Sequence, residues 1–189
     1  LKIILKKIGS PTGLVHCAAY NPKLKLNENN SIENFPIKTL EKSMEINIKG
    51  SFLVCQILGS NMALNKKGSI ILINSIYGIL SPKHFIYKRK ESEYFKPIDY
   101  SITKSSLINM SRYLATYWAN KNVRVNTISA GGIYNNQDKS FVKQYSQNVP
   151  LGKMADKNDL NGAVYYLISN QSSYVTGANI IIDGGWSAW

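Results

Sequence analysis

Apolar positions along this chain fall into two kinds of pattern. Short continuous apolar runs at residues 14–19, 69–74, 123–128 and 178–182 read as strands covered on both faces. Between them lie longer stretches with helical spacing. Residues 1–7 read as the end of an amphipathic helix. Residues 37–65 carry Met44, Ile48, Phe52, Cys55 and Leu58/Gly59 at helical intervals, and residues 98–120 carry Leu107, Met110, Leu114 and Tyr117/Trp118. Asp156 and Asp159 resemble a helix N-cap and its third-position partner, opening a helix that ends near Ser169. Residues 81–97 form a polar, aromatic loop bounded by Pro82 and Pro97, and a Gly131-Gly132 turn leads into a second loop reaching Pro150. Strand and helix alternate without repeats or low-complexity linkers, which predicts one α/β domain over 1–189 with a doubly wound parallel sheet.

The chain has 189 residues, 44% of them hydrophobic, enough for one core. No apolar run reaches the roughly 18 residues that span a membrane, and the lysine-broken start lacks a signal-peptide core. Cys17 and Cys55 form neither a disulfide framework nor a metal-ligand spacing, so a reducing cytoplasm and no metal are expected. The net charge of +12 is almost all lysine and is scattered, which argues against a nucleic-acid surface and suits a phosphorylated or carboxylated small molecule.

Ligands of open parallel sheets sit beyond the carboxyl ends of the strands. Ala18, Ser75 and Gly131 all fall there, and Tyr100 opens the helix that follows one of them. Tyr100 and Lys104 are four residues apart, so both project from one helix face. An ammonium beside a phenol lowers the phenol's pKa, and a hydroxyl such as Ser75 polarises a carbonyl oxygen. The spacing alone is weak, because Tyr117 and Lys121 repeat it on the same predicted helix. Ser75 is equally a turn or cap residue, Lys104 a solvated face residue, and Asn47 a mid-helix residue bonding its own backbone.

Taken together, Asn47 in Ile46-Asn47-Ile48-Lys49-Gly50, Ser75, Tyr100 with Lys104, the strand Arg124-Val125-Asn126 and the ending Tyr174-Val175-Thr176-Gly177…Ile182-Asp183-Gly184-Gly185 resemble the short-chain dehydrogenase/reductase family, from about Leu14 to Trp186. The resemblance implies a Rossmann-like sheet, NAD or NADP as cofactor, and an Asn47–Ser75–Tyr100–Lys104 catalytic set. Tyr100 is then the general acid/base. Lys104 lowers its pKa and binds the nicotinamide ribose, Ser75 holds the substrate oxygen, and Asn47 positions a relay water. Cofactor contacts are implied at Ala18, Ala19, Tyr100, Lys104, Gly131 and the main chain of Ile133. A finer likeness, carried by Ser75-Ile76-Tyr77-Gly78, the insert before Tyr100, Arg112-Tyr113-Leu114-Ala115, residues 131–137 and Gly185-Trp186, is to bacterial flagellin- and surface-glycan-modification oxidoreductases of nonulosonic-acid pathways.

The chain departs from the family at its start. The strand, Gly-rich turn and helix that cradle the dinucleotide phosphates are missing, on the order of 60 residues or two βα units and a strand. The expectation is a fragment or truncated frame, the C-terminal two-thirds to three-quarters of the domain. The strand at residues 14–17 should then become a sheet edge. The family's Asn-Asn-Ala-Gly reads His16-Cys17-Ala18-Ala19, and its Pro-Gly reads Ala130-Gly131. An alternative reading is a catalytically silent paralogue that serves as a binding or assembly module.

Lys83, Lys88, Arg89, Lys90 and Lys96 lie among Phe85, Tyr87, Tyr94 and Phe95 in the insert, which enters after Ser75 and leaves before Tyr100. Such a loop grips a sugar phosphate or nucleotide sugar as readily as it sits in solvent. His16 and His84 are read as packing or surface residues and Asp183 as a turn residue. The helices at 41–65 and 98–120 are the family's usual pairing faces, so a homodimer or homotetramer is implied. Trp186 and Trp189 belong either to a second interface or to the core.

Overall fold

A computed structural model describes residues 2–22, 31–87 and 95–189. Four parallel strands, β1 (Gly13–His16), β2 (Gly68–Ser75), β3 (Val123–Ala130) and β4 (Asn179–Ile182), form one sheet in the order β1-β2-β3-β4. Ser75 pairs with Ala130 at the last rung of β2 and β3, so both strands end level at the carboxyl edge. Among the described residues β1 pairs with β2 alone, which makes it the edge expected from the sequence.

Helix α1 (Lys2–Ile8) precedes β1. The long helix α2 runs Ile37–Ser43, Gly50–Val54 and Ser60–Leu64, joined by π-helical stretches Met44–Lys49 and Cys55–Gly59. Its buried face is Ser43, Asn47, Ser51, Cys55 and Gly59. This corrects the stripe predicted from the apolar residues, since Met44 and Phe52 are 43% and 45% exposed. Residues four apart on an α-helix fall about 40° out of line, and the two wider π turns take up that rotation. The small inward residues let helix α3 (Ile98–Tyr117) approach closely. A Cβ on Gly59 would lie 2.3 Å from the Trp118 ring.

On α3, Leu107 and Leu114 are buried as predicted, with Trp118 just past its end, while Tyr117 is exposed. Met62, Ile70, Leu72, Val123 and Val125 complete this side of the core. Helix α4 (Lys139–Gln147) is capped by Asp138, and α5 (Asn161–Ile168) covers the other face. The Asp159 carboxylate accepts the Asp156 N–H at 2.7 Å, but this bond sits in the preceding turn, and the helix starts at Asn161 with Leu160, not Asp156, in the cap position.

The segment 175–178 is fastened to β3 by polar side chains. Asn126 Nδ2 donates to the Val175 carbonyl at 2.9 Å, its Oδ1 accepts the Ala178 N–H at 3.0 Å, and Thr176 Oγ1 accepts the Val125 N–H at 3.1 Å. Arg124 adds a bond to the Ser169 carbonyl at 3.0 Å. Asn126 is fully buried. Asn126→Ala should therefore cost about 1 to 3 kcal/mol, because it leaves the half-buried Ala178 N–H without its partner and removes one of the two donors to the Val175 carbonyl. Urea unfolding of the two chains measures it.

Candidate active site

The carboxyl edge of β1–β3 and the first turns of α3 converge on Tyr100. The Ser75 hydroxyl accepts the Tyr77 N–H at 3.2 Å, capping the turn after β2, and stands beside the Tyr100 phenol. Burial pushes the Tyr100 phenol up, and Ser75 opposes that only in part. Lys104 is buried rather than solvated. Its ammonium donates to the Ile73 carbonyl at 3.0 Å and lies 5.9 Å from the Tyr100 ring centroid. Burial lowers the Lys104 pKa, and proximity to Cys17 raises it.

Asn47 does not bond its own helix. Its Oδ1 accepts the Tyr20 N–H at 2.5 Å, and its Nδ2 donates to the Tyr20 carbonyl at 2.9 Å and to Thr103 Oγ1 at 3.2 Å. One amide thus ties α2, the loop after β1 and α3 together. The Asn47 main-chain carbonyl accepts the Ser51 hydroxyl at 2.6 Å, and Ser51 Oγ lies 2.8 Å from His16 Nε2. The hydroxyl proton is committed to the carbonyl, so Nε2 carries the imidazole proton and donates. Burial, then Lys104, lowers the His16 pKa. His16 is therefore a packed, neutral, hydrogen-bonded group, as expected, and exposed His84 meets Phe95 edge-on at 5.5 Å.

Ala18 and Ala19 are exposed just past β1. Gly131 and Gly132 follow β3 where backbone and side chain crowd: the Gly132 N–H donates to Tyr145 Oη at 2.5 Å, and a Cβ on Gly132 would meet that ring at 2.7 Å. Ile133 bridges Ala155 through its neighbours, with Gly132 accepting the Ala155 N–H and Tyr134 donating to the Ala155 carbonyl. The Ile133 carbonyl takes the Gln137 amide at 2.8 Å.

Aromatic residues that sequence reading had not grouped gather beside Tyr100. Tyr77, Tyr145, Ile86 and Trp186 are buried together with Tyr87, Phe141 and Tyr100 at their margin. Tyr145 stacks on Trp186 at 4.5 Å, which places Trp186 in the core, while Trp189 is exposed. Asp183 holds the turn after β4 by accepting the Gly185 and Ser187 N–H groups, so its reading as a turn residue stands. Lys83 lies 5.0 Å from the Trp186 ring and donates to Asn148 Oδ1 at 3.1 Å. Lys96, the last cation of the insert, lies 4.0 Å from the Tyr100 ring. Lys88, Arg89, Lys90 and Tyr94 fall outside the described residues. The signal that would have singled out Lys96 was its place four residues before Tyr100, but a bend at Pro97 made helical spacing inapplicable.

A family model described as enoyl-(acyl carrier protein) reductase matches residues 1–187. A D-arabinitol 2-dehydrogenase (ribulose-forming) of Candida tropicalis is 32% identical over 171 residues, covering 86% of this chain and 57% of that protein. The post-translational flagellin modification protein A of Campylobacter coli is 30% identical over 145 residues, covering 77% and 56%. The chain thus spans little more than half the length of these relatives. The crystal structure of a short-chain dehydrogenase from Leptospira borgpetersenii with bound NAD+ superposes with a TM-score of 0.83 at 33% identity, over 98% of this chain and 68% of that one.

The Asn47 junction has a measurable consequence. Asn47→Ala removes both bonds to Tyr20, so the Tyr20 amide should exchange with deuterium at least about tenfold faster, for a loss of about 1.4 kcal/mol or more. Hydrogen-exchange mass spectrometry of residues 17–22 reads it.

Proposed function

The chain belongs to the short-chain dehydrogenase/reductase family, and from that premise we propose that it is an NAD(P)-dependent oxidoreductase acting on a carbonyl or hydroxyl carbon of a sugar or polyol. The observation that carries this reading is a half-buried Tyr100 phenol beside Ser75, with the Lys104 ammonium held by the Ile73 carbonyl on the same helix face. Tyr100 gives its proton to the substrate oxygen in reduction and receives one in oxidation. Ser75 orients that oxygen. Lys104 spends one N–H on Ile73 and keeps two for ribose hydroxyls and for stabilising the phenolate. Asn47 keeps the loop after β1 in place.

The residues present fit the nicotinamide half of such a cofactor. Exposed main chain at Ala18 and Ala19, the Lys104 ammonium, the Gly131 turn and the Ile133 main chain line one edge of the sheet. When bound, the nicotinamide supplies or accepts the hydride.

The substrate class rests on the likeness to the D-arabinitol 2-dehydrogenase, and the packed aromatic cluster beside Tyr100 serves as the rigid backing of the site. The finer reading is a sugar phosphate or nucleotide sugar of cytoplasmic surface-glycan synthesis. It is supported by the flagellin-modification relative and by Lys83 against Trp186. Among the described residues no helix is long and apolar enough to cross a membrane. Met44, Phe52, Leu53 and Ile57 on α2 and Ile102 and Tyr113 on α3 are apolar and exposed, which supports pairing into a homodimer or homotetramer.

The test is oxidation of D-arabinitol, xylitol and glycerol with NAD+ or NADP+, followed by nicotinamide absorbance. Residues 1–189 alone should bind either dinucleotide weakly or not at all. With the Gly-rich phosphate-binding segment of a family member supplied, turnover of at least one polyol is expected, and Tyr100→Phe should reduce kcat by about a hundred- to ten-thousand-fold. Undiminished turnover in Tyr100→Phe would sink the assignment. No turnover once that segment is supplied supports the silent binding module instead.

A further inference from the structure

None of the roles above uses Lys96. Its ammonium lies 4.0 Å from the centroid of the Tyr100 ring, nearer than Lys104 at 5.9 Å. It is tethered by a bond to Asn21 Oδ1 at 3.1 Å, so the insert, the loop after β1 and α3 meet at this cation. Among the described residues the only ion pair within 4 Å joins Lys49 and Glu45, so no contact carboxylate neutralises Lys96. Asp99 attracts it, but the Asp99 carboxylate accepts the Ser43 hydroxyl on α2. A cation over an aromatic face is drawn to the ring's electrons, and more strongly when the phenol has lost its proton.

We propose that Lys96 is a second positioning cation of this site, acting through the ring of Tyr100 to favour the phenolate. The proposal rests on the reading of Tyr100 as the acid/base group and adds a residue outside the Tyr100–Lys104 pair. It also assigns the end of the insert a task in the chemistry, apart from any grip on substrate.

The charge on Lys96 is itself poised. Burial pulls its pKa down to about 8, Asp99 opposes that, and Lys104 adds to it. Below about pH 8 the ammonium is present over the ring, and its help is lost as pH rises through that value. The other groups facing Tyr100 among the described residues are Ser75 from β2, Tyr77 from the turn after it, Tyr87 from the insert, Tyr145 from α4 and Lys104 from its own helix. Burial pushes all three tyrosines up, so they stay neutral while Lys96 titrates. Lys104 is also pulled down, so variants at Lys96 are needed to separate the two amines.

The test is carbon-13 NMR of the full chain labelled at tyrosine Cζ, with Tyr100→Phe assigning the Tyr100 signal. Lys96→Gln keeps a donor for Asn21 and removes the charge, whereas Lys96→Arg keeps both. Lys96 has lost its proton before Tyr100 ionises in the wild type, so Lys96→Gln should leave the acid constant of Tyr100 within about twofold of wild type, whereas Lys96→Arg, charged throughout, should raise it about tenfold. A clasp without electrostatic effect predicts wild-type behaviour in Lys96→Arg as well, and that result overturns the proposal. So do equal shifts in both variants, or a Tyr100 signal in Lys96→Arg that remains that of the neutral phenol to about pH 12. Full turnover by Tyr100→Phe would instead strike the acid/base reading and leave this titration intact, so the two failures are distinguishable.

Discussion

The buried amide of Asn47 is the junction from which the site is hung. Its three bonds reach the main chain of Tyr20 and the hydroxyl of Thr103, and Thr103 lies between Tyr100 and Lys104 on α3. In a low-dielectric interior each such bond is costly to leave unmade, so the amide fixes the loop after β1 and the rotation of α3 at once. Ser43 bonding Asp99 makes a second contact one helical turn earlier. The run of Ser51, Cys55 and Gly59 then allows α2 to lie close enough for both. Replacing any of these small residues with a bulkier one would push α2 outward and lengthen the Asn47 bonds, so packing and chemistry here are one constraint.

The opposite wall depends on a different set of polar contacts. Asn126, Thr176 and Arg124 bind the segment 175–178 to β3, which lets β4 pair at Asn179 and closes the sheet on that side. From β4 the chain turns at Gly184 and Gly185, both at positive φ (+66° and +92°), a conformation glycine adopts at little cost. That turn delivers Trp186 onto Tyr145, and Tyr145 in turn accepts the Gly132 N–H. The Arg-Val-Asn and Tyr-Val-Thr-Gly segments, far apart in sequence, are thus two halves of one fastening whose far end shapes the aromatic wall beside Tyr100.

How much of this was legible beforehand follows from what each signal encodes. The strands were readable because doubly covered strands leave continuous apolar runs, and β2 and β3 lie where those runs lie. The face of α2 was not readable. Cys55 and Gly59 of the predicted stripe face inward, but Met44 and Phe52 point outward, and Ser43, Asn47 and Ser51 take the inward places, so a hydrophobic pattern identified only half of the face. Two π turns further broke the 3.6-residue period on which that pattern relies. Ser75, Tyr100 and Lys104 could be placed from a strand end and helix spacing, and Asn47 only through the family resemblance, but their partners could not, because Tyr20 and Ile73 contribute main-chain atoms that no side-chain motif records. Lys96 was only one of five cations in a loop. Its distinction is a distance to a ring, which sequence does not carry.

Burial sets the electrical character of the site, and it acts with opposite sign on its two kinds of group. It drives the phenols of Tyr77, Tyr87, Tyr100 and Tyr145 up and the amines of Lys96 and Lys104 down, so each is favoured in its neutral form. A site left at that point would hold neutral phenols beside neutral amines and move no proton at working pH. Local contacts act against this. Ser75 pulls Tyr100 part of the way down, and Asp99 raises Lys96. Tyr77 and Tyr87 instead share a bond at 3.0 Å between their hydroxyls. Among the described residues, Tyr100 has a serine hydroxyl beside its phenol and two lysine ammoniums near its ring. Tyr100 is thereby set apart within a cluster of four phenols, and the difference is made by its neighbours.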